Sequence, residues 1–87
     1  MGSFSLKVIT LAGIFFDEEV DRIVIRTING DIGVLRGHAA LVSLIDNGKL
    51  KIRKEGLTKE AIINGGYVEI GKEETLIVCD AAQWITI

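Results

Sequence analysis

The sequence contains no proline, one cysteine and one histidine, and each scarcity removes a class of function. A lone thiol, Cys79, cannot close an internal disulfide, and the Cys and His spacings of structural zinc sites are absent. Such a chain must be held by its apolar core, and it suits a reducing interior. Nucleophilic catalysis needs a nucleophile, a base and an orienting group. His38, in Arg36-Gly37-His38-Ala39, has no Ser or Cys beside it and reads as a loop histidine that packs locally. No apolar run approaches the roughly 20 residues that span a bilayer, and Met1-Gly2-Ser3-Phe4 lacks the charged and apolar regions of a secretory signal. The net charge of -2, from 12 acidic and 10 basic residues spread along the chain, offers no field of one sign to attract nucleic acid or an anionic membrane.

What is present is β patterning. The 87 residues, 48% of them hydrophobic, fit one domain over 1–87 with one core. Turn signals recur at Asn29-Gly30-Asp31, Arg36-Gly37, Asn47-Gly48, Glu55-Gly56, Asn64-Gly65-Gly66 and Gly71-Lys72. That spacing suits short strands, and Asn-Gly favours two-residue hairpin turns whose central positions need positive φ. Between the turns, Leu50 and Ile52 interleave with Lys49, Lys51 and Arg53; Phe4, Leu6 and Val8 share the same period, as do Ile23 and Ile25. One face of each strand is therefore dry and the other wet. Leu76-Ile77-Val78-Cys79 is apolar on both faces and reads as a central strand covered on both sides. Trp84-Ile85-Thr86-Ile87 is a last strand or the stub of a connection. No stretch shows helical spacing, so the fold class is all-β, either a two-sheet sandwich or a small barrel.

Several local strings invite chemistry. Asp17-Glu18-Glu19 with Asp21 offers carboxylates to a hard cation, but without the ligand rhythm of a calcium loop it reads as a solvated acidic turn. Gly30-Asp31-Ile32-Gly33 fits neither phosphate-binding glycine pattern, and its glycines read as backbone devices that present Asp31 and Ile32 on a hairpin tip. The row Lys49, Lys51, Arg53 and Lys54 could face a phosphate backbone, but no stacking aromatic alternates with it, so it reads as a solvated sheet face. Cys79 reads as a small core side chain. The alternative function left by these features is an isolated all-β binding module for single-stranded nucleic acid or a small ligand.

Longer strings resemble a known family. Gly13-Ile14-Phe15-Phe16-Asp17-Glu18-Glu19-Val20-Asp21, then Ile28-Asn29-Gly30-Asp31-Ile32-Gly33-Val34-Leu35 and Gly37-His38-Ala39, resemble the amino-terminal domain of ATP synthase epsilon subunits in order and spacing. Gly48-Lys49-Leu50, Gly65-Gly66-Tyr67-Val68-Glu69-Ile70 and Asp80-Ala81-Ala82-Gln83-Trp84 extend the resemblance over nearly the whole chain. It implies a two-sheet antiparallel β-sandwich of about ten strands, and a rotor part of the central stalk that couples the membrane c-ring to the gamma subunit. It also implies no active site or cofactor of its own, a peripheral place on the cytoplasmic face of a bacterial membrane, no nucleic acid partner, no membrane insertion, and a monomer when isolated.

Position by position, the resemblance assigns Asn29, Gly30, Asp31, Ile32 and Gly33 to the ring, with Asp31 making the polar contact. It assigns Thr10, Gly37, His38, Ala39, Ala40 and Leu41 to gamma. Leu11, Ala40 and Ile85 stand where the family often has proline, which implies slightly looser segments there. The two carboxy-terminal helices that restrain ATP hydrolysis in full epsilon subunits do not follow, so inhibition of that kind is not expected of this chain.

Overall fold

Alternation of large apolar and polar side chains sets the strands and decides which face of each turns inward. The computed structural model describes residues 2–85, so Thr86 and Ile87, at the end of the expected last strand, lie outside the described residues. Among them are nine strands: β1 (Phe4–Thr10), β2 (Gly13–Val20), β3 (Arg22–Thr27), β4 (Gly30–Val34), β5 (Leu41–Lys54), β6 (Leu57–Asn64), β7 (Tyr67–Ile70), β8 (Glu74–Val78) and β9 (Ala81–Trp84). The hydrogen-bonded order β2-β1-β8-β7-β5-β3-β4, with β6 on β5 and β9 on β6, is continuous.

The continuous path still makes two layers, because β5 belongs to both. Leu41–Leu44 pair with β7, whereas Gly48–Lys54 pair with β6, and β3 pairs with the same second half. The first layer is β2-β1-β8-β7-β5 and the second is β4-β3-β5-β6-β9. The expected ten strands are thus nine continuous ones, with β5 serving twice. Pairing is antiparallel except between β1 and β8, which run parallel from Ser5↔Glu74 to Ile9↔Val78. Strands that switch layers do so at bulges or bends. In β5 that place is Asp46-Asn47-Gly48, where the β3 partners jump from Ile45 to Leu50.

Asn47-Gly48 is therefore no hairpin, contrary to the sequence expectation. Gly48 is needed because β3 passes close: a Cβ there would sit 3.2 Å from Cβ and Cγ of Arg26. The Asn47 side chain accepts the Gly65 N–H at 3.0 Å, tying the bend to the β6–β7 connection. The two-residue hairpin turn with both central φ values positive occurs instead at Glu55-Gly56, at 51° and 79°.

Between the layers lies one core. Phe4, Leu6, Val8, Val68 and Ile77 from the first layer meet Ile23, Ile25, Leu50, Ile52 and Ile63 from the second. Each such side chain contributes roughly 1.5–3 kcal/mol on full burial. The open side is closed by aromatics: Trp84 of β9 stacks on Phe15 of β2 with centroids 4.6 Å apart and meets Phe16 edge-on at 6.0 Å. Lys59 lies over the indole. Strand β8 is central in its layer, but Leu76 and Val78 are only half-buried on its outer side, so the expected cover on both faces is present on one.

Candidate functional site: two hairpin tips and an apolar sheet face

The β3–β4 tip is a two-residue loop, Ile28-Asn29, closed by Thr27 and Gly30. The Thr27 hydroxyl donates to the Gly30 carbonyl at 2.9 Å and accepts from the Asn29 N–H at 3.1 Å. Positive φ falls on Gly30, at 103°, and Asn29 does not share it. Behind the tip, Arg26 and Asp31 face each other across the strands, joined at 2.5 Å and 3.5 Å through the two carboxylate oxygens. The hydrogen bond from Arg26 holds the Asp31 carboxyl below its usual range and raises the guanidinium. Asp31 is thus already engaged within the domain, and what projects into solvent is Ile28, 60% exposed, with Asn29.

A second tip repeats this construction. Thr10 donates to the Gly13 carbonyl at 3.2 Å and accepts from the Ala12 N–H at 3.1 Å, and Gly13 has φ 124°. The loop residue Leu11 is 86% exposed. Thr10 is therefore a turn fastener, and its neighbour is the side chain a partner would meet.

The loop containing Gly37, His38, Ala39 and Ala40 leads from β4 into β5. It is fixed by the Gly37 N–H to the Lys72 carbonyl at 2.7 Å and the His38 N–H to the Leu35 carbonyl at 3.1 Å. His38 is half-buried, with Nδ1 2.6 Å from the Ala39 carbonyl, an arrangement in which that nitrogen donates its proton. Leu41 pairs with Ile70 at one end of the first layer, whereas Thr10 lies beyond the Ile9↔Val78 pair at the other. Of the residues assigned to one partner, Thr10 thus lies at the opposite end from the Gly37–Leu41 group. They bracket a sheet face whose rows run from Leu41 to Leu44, about 10 Å along the strands.

That face is apolar where solvent would be expected. Cross-strand partners share a side, and the registers Ile14↔Ile9, Ile9↔Val78, Val78↔Tyr67 and Tyr67↔Leu44 place five apolar side chains in one row on the outside of the first layer. Ile28 joins its end through its N–H to the Leu44 carbonyl at 3.1 Å. The next row holds Lys7, Leu76, Glu69 and Val42 around a shallow depression of about 450 Å³. Leu44 is 58% and Val42 69% exposed. On soluble domains, contiguous exposed apolar surface is a common feature of interaction sites.

Comparison with known proteins gives this arrangement a family. The model of the ATP synthase delta/epsilon chain β-sandwich domain matches residues 3–85. The chain belongs to that family. An ATP synthase epsilon chain from Caldicellulosiruptor saccharolyticus is 42% identical over 84 residues, 97% of this chain and 61% of the relative. A sodium ion specific epsilon chain from Propionigenium modestum is 35% identical over 82 residues, 94% of this chain and 60% of the relative. The chain thus spans about three-fifths of the length of the curated relatives it matches. A chain in the cryo-EM structure of Euglena gracilis mitochondrial ATP synthase, OSCP/F1/c-ring in rotational state 1, superposes with a TM-score of 0.90 at 26% identity, over 97% of this chain and 54% of that one.

In this delta/epsilon domain the apolar row of Ile9, Val78, Tyr67 and Leu44 escaped sequence reasoning. Its signal was present: apolar residues in the outward phase of strands that already had an inward apolar set. The other chemical candidates are structurally engaged. Glu18 receives Lys54 at 2.6 Å, and that hydrogen bond lowers its pKa; Asp21 accepts the Glu55 N–H at 2.9 Å. Among the described residues no group of three His, Cys, Asp or Glu side chains gathers to hold a metal. Burial raises the Cys79 thiol above its ordinary pKa, with Asp80 adding to the effect, which disfavours the reactive thiolate.

Proposed function

We propose that this domain is a non-catalytic rotor part of an ATP synthase central stalk, coupling the c-ring to the gamma subunit. The observation that carries the reading is the apolar row across the outside of the first layer, five apolar side chains aligned in register on the face turned away from the core. In this reading gamma covers that row together with Leu11 and the Gly37–Leu41 approach, with His38 packed at the margin and performing no chemistry. The β3–β4 tip, from Asn29 to Gly33, meets the polar loops of the ring. Asp31 reaches it with lone pairs that Arg26 leaves free.

Torque transfer needs stiffness between the two contacts. A close-packed sandwich with laterally bonded strands supplies it, since interiors of crystal-like density yield little to stress. The domain sits peripherally at the membrane, on the cytoplasmic side of a bacterial cell, without inserting.

Cysteine crosslinking in the assembled synthase tests the reading. With Cys79 replaced, Asp31→Cys is expected to link to the ring and Leu44→Cys and His38→Cys to gamma. Exchange of those partners would show the faces to be misassigned. Absence of any link at position 44, in an assembly that forms normally, would remove gamma from the apolar row.

A further inference from the structure

The outside of the second layer has the opposite character, and its charges are arranged at a cost. Arg22 on β3 stands directly opposite Arg53 on β5, and Lys51 follows two residues along the same face. Like charges directly opposite each other on a sheet are destabilising. Four other cations are paired: Arg26 with Asp31, Arg36 with Glu73, Lys54 with Glu18, and Lys49 with Glu60 at 3.5 Å, although Glu60 stands opposite Lys51. Arg22, Lys51 and Arg53 have no carboxylate within ion-pairing distance among the described residues. Nearby Asp21 is occupied by the Glu55 N–H.

The three cations also line a depression. With Val24 and Thr58 they surround about 220 Å³ of open space, too little for a drug-sized ligand. A guanidinium fork fits either a carboxylate or a phosphate, but a phosphate's three terminal oxygens and nearly double charge can meet two forks and an ammonium at once, which the two oxygens of a single carboxylate cannot.

We propose that Arg22, Lys51 and Arg53 form a phosphate-binding site on the outer face of the second layer, separate from the apolar row and beside the β3–β4 tip, whose Asp31 borders a neighbouring depression with Lys51. The phosphate can be free in solution, as an inorganic polyphosphate, or the headgroup of an anionic lipid. Binding relieves the repulsion between the two arginines, so stability and occupancy are linked.

The experiment uses inorganic tripolyphosphate as the probe, against sodium chloride of equal ionic strength, with a parallel arm of vesicles with and without anionic phospholipid. Amide resonances of Val24, Lys51, Arg53 and Thr58 are expected to shift saturably with tripolyphosphate, and Arg22→Gln or Arg53→Gln to weaken binding about tenfold or more. Lys72→Gln, a charge change in the loop between β7 and β8, is expected to leave binding unchanged. Arg22→Gln is expected to fold and, without phosphate, to melt no lower than the wild type; tripolyphosphate is expected to raise the wild-type midpoint more than that of the variant. Binding to anionic vesicles alone, lost in Arg22→Gln, would identify the headgroup as the source. No saturable binding in either arm, or binding equally strong in Arg22→Gln and Arg53→Gln, overturns the proposal.

Discussion

The two hairpin tips share a backbone and differ in what they present. Thr10-Leu11-Ala12-Gly13 and Thr27-Ile28-Asn29-Gly30 use the same hydroxyl for the same pair of hydrogen bonds, and each puts positive φ on the closing glycine. Yet behind the first tip stand Ile9 and Ile14, whereas behind the second stand Arg26 and Asp31. Turn shape is set by Thr and Gly; surface chemistry is set by the pair one step down the ladder. A single turn design thus serves two surfaces, one apolar and one charged.

Replacing each glycine by valine attacks the shared part. Nothing lies within 4 Å of a Cβ built at Gly13 or Gly30, so the penalty is purely one of backbone conformation. Gly13→Val and Gly30→Val are each expected to lower stability by about 2 kcal/mol, measured by denaturant unfolding. Costs differing by more than the whole effect would break the equivalence.

The threonines separate the tips by burial. Thr27 is buried and Thr10 only half-buried. Thr27→Val strands the Asn29 N–H and is expected to cost about 1–2 kcal/mol, against about 0.5–1 kcal/mol for Thr10→Val, where water replaces the hydroxyl. Thermal unfolding of the two variants gives the ranking, and the reverse order would refute the burial argument.

Asp31→Asn gives the smallest effect and a sign. The folded carboxyl has a lowered pKa, so the Arg26 pair stabilises above the ordinary carboxylate value and fades as pH falls through the lowered one. Wild type is expected to exceed Asp31→Asn slightly at neutral pH, with the gap closing in acid and shrinking in salt. A gap that widens in acid would contradict the pairing.

The legible part of the fold was local. Alternation at Leu50 and Ile52 put the correct side chains in the core, and the glycine-punctuated turns located most connections. The Thr-x-x-Gly repeat is equally local, but it is a weaker turn signal than Asn-Gly because its threonine acts through a side-chain hydroxyl and only its glycine takes positive φ. Asn47-Gly48 misled for a different reason: its glycine answers to the Arg26 side chain of another strand, and no string shows such an approach. The same holds for the parallel β1–β8 pair and for Arg22 beside Arg53, residues far apart in the chain that only the register brings together. For the candidate site, family resemblance marked the two ends of the sheet face; the apolar row between them needed the structure.

The shared strand β5 has a mechanical meaning. A load entering at Val42 or Leu44 passes through Asp46-Asn47-Gly48 along covalent main-chain bonds into the opposite layer, where β3 and its tip are fastened. The layers therefore cannot slide past one another by breaking hydrogen bonds alone, and the bend acts as a covalent strap between them.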